Sequence, residues 1–220
     1  MSKFRQIVDN CLATLFPRRC LGCRRVESYL CEECLQGLPL ASPGYENITL
    51  FEYNHQVVKK AIWNLKYKGH RDIAETLGTL LYHRLAEEAA ERLLFHQERE
   101  RKILVLPVPL APKKRRARSF NQAELIARHL VAADPLNLEL ATDVLVKHKE
   151  TPSQVSVNGR LRRLANIRGS FSVWKPEVAH RRNIIVVDDV ITTGGTMTEA
   201  RTVLRRAGAG LVLGAAIAQG

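Results

Sequence analysis

One run of thirteen residues, Ile184-Ile185-Val186-Val187-Asp188-Asp189-Val190-Ile191-Thr192-Thr193-Gly194-Gly195-Thr196, limits what this chain can fold into more than any other feature. Its four leading branched apolar residues read as a strand buried on both faces, as in a parallel sheet covered by helices. The strand delivers two adjacent carboxylates, Asp188 and Asp189, to the C-terminal edge of the sheet, where open α/β folds bind ligands. Thr192, Thr193, Gly194, Gly195 and Thr196 then lead into a helix over 197–206, whose unpaired N–H groups and dipole attract a phosphate. Paired carboxylates suit the 2′- and 3′-hydroxyls of a ribose, and the Thr/Gly turn suits its 5′-phosphate. The run lacks the Gly-Lys-Ser/Thr of a nucleoside-triphosphate loop, and no Gly-x-Gly-x-x-Gly sets up a dinucleotide site.

Matching layers are legible on both sides of this run. Apolar residues at helical spacing mark a helix over 4–16 that stops at Pro17. A strand is expected over 48–53. Val57, Val58, Ile62 and Leu65 predict a helix ending at the basic turn Lys66-Tyr67-Lys68-Gly69-His70, and a longer helical stripe runs over 71–99. Residues 103–106 read as a second buried strand, bounded by Pro107 and Pro109, and 121–131 as a helix. Gly208 suits a helix C-cap, and 211–217 a further buried strand. Alternating strands and helices imply right-handed βαβ units and a mostly parallel sheet flanked by helices, an α/β fold. The 220 residues, 45% apolar and 25% charged, allow one sizeable α/β core and a small accessory module. Two prolines, a serine and a glycine over 38–44 read as a linker, which divides the chain into 1–40 and 45–220. No stretch approaches the roughly 18 to 20 apolar residues of a membrane helix, and Asp9 and Asn10 do not suit a signal peptide, so a cytoplasmic address is expected.

The five cysteines stand at 11, 20, 23, 31 and 34. Such crowding at one end is not how disulfides staple a chain of this length. Cys20, Cys23, Cys31 and Cys34 form two Cys-x2-Cys knuckles, and four thiolates at about 2.3 Å saturate a tetrahedral zinc ion. A closed site of four sulfurs has no position for a catalytic water, so the zinc is expected to be structural and to supply the stability that so small a module lacks. Cys11, on the preceding helix, is a spare thiol.

The 184–196 run resembles the phosphoribosyl-pyrophosphate (PRPP) motif of type I phosphoribosyltransferases, and the whole chain resembles the ComF (ComFC-like) family, in which a short cysteine module precedes a phosphoribosyltransferase-like domain. The family's Arg-Gly-Phe-Asn-Gln signature reads here Arg118-Ser119-Phe120-Asn121-Gln122, with serine for glycine. Its Lys-Phe/Tyr-Lys-Gly turn is Lys66-Tyr67-Lys68-Gly69, and its Gln…Arg…Asn segment is Gln154, Arg160, Arg163 and Asn166. The resemblance implies PRPP binding with magnesium: Asp188 and Asp189 hold the ribose as the catalytic pair, and Thr192, Thr193, Gly194, Gly195 and Thr196 hold the 5′-phosphate. It also implies a pyrophosphate loop just after Pro109, with Arg118 or the segment 147–163 as a hood over it. Participation in natural transformation and the handling of imported DNA is implied too, beside a ComFA-like helicase and a DprA-like recombination mediator. The acceptor stays open, and with it whether the chain is a phosphoribosyltransferase.

Lys plus Arg (34) exceed Asp plus Glu (22), giving +12, so polyanions should gather at the surface. Lys113, Lys114, Arg115 and Arg116 with Arg118 form one cluster, Arg160, Arg162, Arg163 and Arg168 a second, and Lys66 and Lys68 flank a turn; each suits pyrophosphate or a nucleic-acid backbone. Aromatic residues near the two clusters in sequence are few, chiefly Phe120, Phe171 and Trp174, which favours backbone attraction over base stacking. A non-enzymatic adaptor for single-stranded DNA is therefore the rival reading. A nucleobase-salvage phosphoribosyltransferase is a third, against which stands the lack of a recognisable base hood near residue 220.

Overall fold

The computed structural model describes residues 17–26, 28–68, 70–95, 102–148 and 169–220. The expected helix over 4–16, Cys11, and the segment carrying Gln154, Arg160, Arg162, Arg163, Asn166 and Arg168 lie outside the described residues, as does Gly69.

In chain order the elements are α1 (Glu32–Gln36), β1 (Asn47–Glu52), α2 (Gln56–Tyr67), α3 (Arg71–Phe95), β2 (Ile103–Pro107), α4 (Pro112–Ala117), α5 (Gln122–Ala133), β3 (Leu138–Leu140), β4 (Leu145–Lys147), β5 (Phe171–Val173), α6 (Pro176–Ala179), β6 (Ile184–Ile191), α7 (Gly195–Arg206) and β7 (Val212–Gln219). Five strands form one parallel sheet in the order β1-β7-β6-β2-β3, and β4 and β5 pair antiparallel beside it. The α/β expectation holds.

The pleat sorts the core. Odd positions of β2 and β6, such as Val105, Ile185 and Val187, pack with Ile62, Leu77 and Ile126 of α2, α3 and α5. Even positions, Leu104, Leu106, Ile184 and Val186, pack with Met197 and Leu204 of α7. After β2 the chain moves outward to β3, and after β6 it moves the opposite way to β7. The seam between β2 and β6 is thus a topological switch point, and its C-terminal rim is the crevice in which such sheets hold ligands.

Three differences from the sequence reading bear on the site. β6 does not stop before the acidic pair: it continues to Ile191, because its backbone ladder with β7 runs on through Asp188↔Ala216 and Val190↔Ala218. The basic residues 113–116 form the short helix α4 rather than a loop, started by Pro112 at its first turn. Residues 39–41, expected in a linker, lie antiparallel along β1, with Ala41 N donating to Leu50 O at 2.9 Å and Glu52 N to Pro39 O at 3.0 Å.

The cysteine module shares the main core: Leu30 and Leu38 are buried in the cluster that contains Ile48 and Ile62. It also meets the start of α3, where Tyr29 stacks against His70 at 4.2 Å between centroids and Arg18 pairs with Asp72 at 2.9 Å. Among the described residues no helix is long and apolar enough to cross a membrane.

Candidate functional site

β6 carries Asp188 and Asp189 to the rim of the seam, and successive strand residues face opposite ways. Asp189 turns toward α2 and α5 and is 5% exposed. Its Oδ2 accepts from Lys66 Nζ at 2.8 Å and from Gln122 Nε2 at 3.2 Å. Burial disfavours the Lys66 ammonium, but the charge and hydrogen bond of Asp189 outweigh it, and the Lys66 pKa is raised. Asp188 Oδ1 accepts from the backbone N–H of Asp189 at 2.8 Å. Burial, reinforced by the charge of Asp189, pushes the Asp188 carboxyl up to about 7 despite that N–H and the cations Lys66 and Lys147. Lys147 on β4 is itself lowered by burial, against the attraction of Asp188. One carboxylate is thus neutralised by an ion pair, while its neighbour stands ready to accept or release a proton near neutrality.

The 192–196 turn follows directly. Gly194 caps α7 in the left-handed conformation, φ 74°, which a side chain would strain, and a Cβ there would meet nothing within 4 Å. Open space thus lies beside Gly194, at the start of a three-turn helix whose first N–H groups favour an anion.

The Arg-Ser-Phe-Asn-Gln segment locks the second wall. Asn121 caps α5, accepting from Ala123 N at 3.1 Å, and its Nδ2 donates to Val108 O at the end of β2 at 3.0 Å. Gln122, buried, joins Asp189 on one side and accepts from Arg118 Nη1 at 3.2 Å on the other. Neither Asn121 nor Gln122 is singled out as a site residue by the sequence reading; only the signature they belong to points to them.

The structure brings Lys66 and Lys147 to the carboxylates and places Arg118 on Gln122, one hydrogen bond away from Asp189. Lys68 goes elsewhere, its ammonium 5.5 Å from the Trp63 ring centroid. Lys113, Lys114, Arg115 and Arg116 are all exposed along α4, in the connection leaving β2. The sequence reading of few aromatics near the basic residues changes in three dimensions, because Trp63 and Tyr67 of α2 come beside Lys68 and Arg118.

In the cysteine module the ligand atoms of Cys20, Cys23, Cys31 and Cys34 all lie within 4.8 Å of one another, and Cys23 Sγ and Cys31 Sγ are 3.6 Å apart. A tetrahedron with metal–sulfur bonds of about 2.3 Å requires sulfurs about 3.8 Å apart, so the set fits zinc. Burial acts to raise the Cys20 thiol, but N–H groups of Cys31, Cys23 and Gly22 outweigh it and hold it at about 6. A Cβ on Gly22 would stand 2.7 Å from Cys34 Sγ. Gly22→Ala is accordingly expected to weaken zinc retention about tenfold in a chelator competition, since it displaces one ligand from the tetrahedron.

No protein-family model matches the chain. Among curated proteins, DNA utilization protein YhgH of Escherichia coli O157:H7 is 30% identical over 200 residues, covering 90% of this chain and 81% of the relative. Competence protein F of Haemophilus influenzae is 31% identical over 180 residues, covering 81% and 73%. The chain belongs to the ComF family. Competence protein ComFC of Streptococcus pneumoniae, 27% identical over 202 residues, extends the relation across 91% of this chain and 80% of that one. A solved glutamine PRPP amidotransferase of B. subtilis aligns with 70% of this ComF-family chain and 30% of its own, at 18% identity and a TM-score of 0.40.

Proposed function

We propose that the rim of the β2–β6 seam binds PRPP with magnesium, and that this ComF-family protein uses the site in the uptake and handling of imported DNA. The carrying observation is the acidic pair at the end of the central strand followed by an open, αL-capped helix N-terminus. The names of the relatives, competence and DNA utilization proteins, support the biological setting. In this reading Asp188 and Asp189 accept from the 2′- and 3′-hydroxyls, N–H groups of residues 194–196 receive the 5′-phosphate, and Thr192, Thr193 and Thr196 supply hydroxyls around it. Asp188 is the carboxylate that would be left to hold magnesium, since Asp189 Oδ2 is shared by Lys66 and Gln122. When bound it would neutralise charge on the departing pyrophosphate. Lys147 is the cation placed to face that charge, while Lys66 and Gln122 fix Asp189. A structural zinc on Cys20, Cys23, Cys31 and Cys34 completes the reading. Its test is a calorimetric titration of PRPP and magnesium into the zinc-loaded chain; absence of binding would overturn it.

The pH dependence has a defined sign. A carboxylate accepts a ribose hydroxyl best when ionised, and Asp188 is half protonated near pH 7. Below that pH binding must first remove a proton, so PRPP affinity falls by up to about tenfold per pH unit, and it levels off above pH 7. The 5′-phosphate also titrates, near about 6, so the diagnostic quantity is the difference between wild type and Asp188→Asn, whose profile keeps only the ligand's contribution. In the free protein the sign reverses: a carboxyl raised above its ordinary 3.8 costs stability as pH rises toward 7.

A second reading, attraction of a single-stranded DNA backbone, is favoured by α4, whose four consecutive cations are all exposed. Neutralising Lys113, Lys114, Arg115 and Arg116 together would then lower the slope of log affinity against log salt by up to about 3. Filter binding at several salt concentrations reads this, and an unchanged slope removes α4 from the interface.

A further inference from the structure

Tyr67 ends α2 directly after Lys66, and its side chain is 59% exposed. The Arg118 guanidinium lies 5.0 Å from its ring centroid, and the ring of Trp63, one turn earlier and 50% exposed, lies 5.7 Å away. These groups belong to a closed circuit around the acidic pair. Asp189 receives Lys66 at 2.8 Å and Gln122 at 3.2 Å, Gln122 receives Arg118 at 3.2 Å, Arg118 covers Tyr67, and Tyr67 adjoins Lys66 in the chain. The guanidinium is therefore fixed two side-chain contacts from the carboxylate and the ring three, yet the ring is open to solvent. An exposed aromatic pair beside an anchored guanidinium matches what a planar heteroaromatic ring stacks on.

The direction also fits. The 192–196 turn leads into α7, which packs on one face of the sheet, whereas α2 and α5 pack on the other. Asp188 and Asp189 stand at the rim between the two. In a ribose 5-phosphate the anomeric carbon adjoins C2, and the phosphate hangs from C4 through C5. With the phosphate at the α7 turn and the hydroxyls at the aspartates, a substituent on C1 leaves the sugar toward α2 and α5.

We propose that Tyr67 and Arg118 form the stacking subsite for the base of a nucleoside 5′-monophosphate whose ribose and phosphate occupy Asp188, Asp189 and the 192–196 turn. The proposal rests on the phosphoribosyl reading above and assigns to that site its base-binding wall.

Calorimetric titrations of the zinc-loaded chain with ribose 5-phosphate, AMP and UMP test it, each with wild type, Tyr67→Ala and Tyr67→Phe. AMP is expected to bind wild type about tenfold or more tightly than ribose 5-phosphate, with UMP between them. Tyr67→Ala should bring AMP down to the level of ribose 5-phosphate without moving the latter, and Tyr67→Phe should keep the increment, because the ring and not the hydroxyl stacks. Equal affinities of wild type for AMP and ribose 5-phosphate overturn the subsite, as does an AMP increment that survives Tyr67→Ala. Failure of wild type to bind ribose 5-phosphate at all brings down the phosphoribosyl reading, and the subsite with it. A single-stranded oligonucleotide whose binding depends on Tyr67 but is not competed by AMP would make the surface a strand-docking site and overturn the proposal.

Discussion

The Asp188→Asn, Asp189→Asn double variant is expected to lose PRPP binding, with the affinity falling by about 10² to 10⁴. The magnitude follows from removing two charge-assisted hydrogen bonds, each contributing about 1.5 to 3 kcal/mol, at roughly 1.4 kcal/mol per decade. The exchange is isosteric, and it relieves the crowding of two adjacent carboxylates that raises Asp188. Lys66 loses its partner, but with 23% of its side chain exposed it has a route to solvent. The fold should therefore survive, which a urea unfolding midpoint checks, and calorimetry reads the binding. Retention of wild-type affinity by a folded double variant would show that PRPP, if bound, lies elsewhere. The two single variants separate the roles: Asp189→Asn also breaks the anchor of Lys66 and Gln122, whereas Asp188→Asn leaves that anchor intact.

Removal of zinc carries the other large effect. Cys20→Ser, or stripping by a chelator, should take the metal content from one ion per chain to none and open the loop between the knuckles to protease. Structural zinc contributes about 10 to 16 kcal/mol to isolated fingers. A smaller loss, of several kcal/mol, is expected here, because the module is also held by Leu30 and Leu38 in the main core, by Tyr29 on His70 and by Arg18 on Asp72. The five-stranded sheet should persist, so circular dichroism changes little while the unfolding midpoint falls. Full zinc retention by Cys20→Ser with an unchanged midpoint would overturn the structural role. The loosened module should also release His70, which Tyr29 holds four residues after the Lys66 that anchors Asp189.

What the sequence alone determined was whatever is local in the chain. The cysteine knuckles, the acidic pair and the Thr/Gly turn each lie within a few consecutive residues, so spacing was enough to read both the chemistry and its carrier. The long periodic helices and the buried runs of β2, β6 and β7 were equally legible, because burial on one or both faces leaves a period or an unbroken apolar stretch. Residues without such a pattern were not. Four of the six residues of α4 are cations and it has no apolar stripe, and the strands β3, β4 and β5 are three residues each. The true end of the strand that carries the acidic pair is not legible from side chains, because the ladder with β7 is made by backbone groups, which aspartate supplies as well as valine does. Tertiary structure alone decided which cations meet the carboxylates. Gln122 lies 67 residues from Asp189, and Lys66, in the last turn of α2, and Lys68, which caps that helix, go to Asp189 and to Trp63 respectively. A helix turns side chains about 100° per residue, so which of two neighbouring lysines faces the site is fixed only when α2 docks on the sheet and buries Leu65.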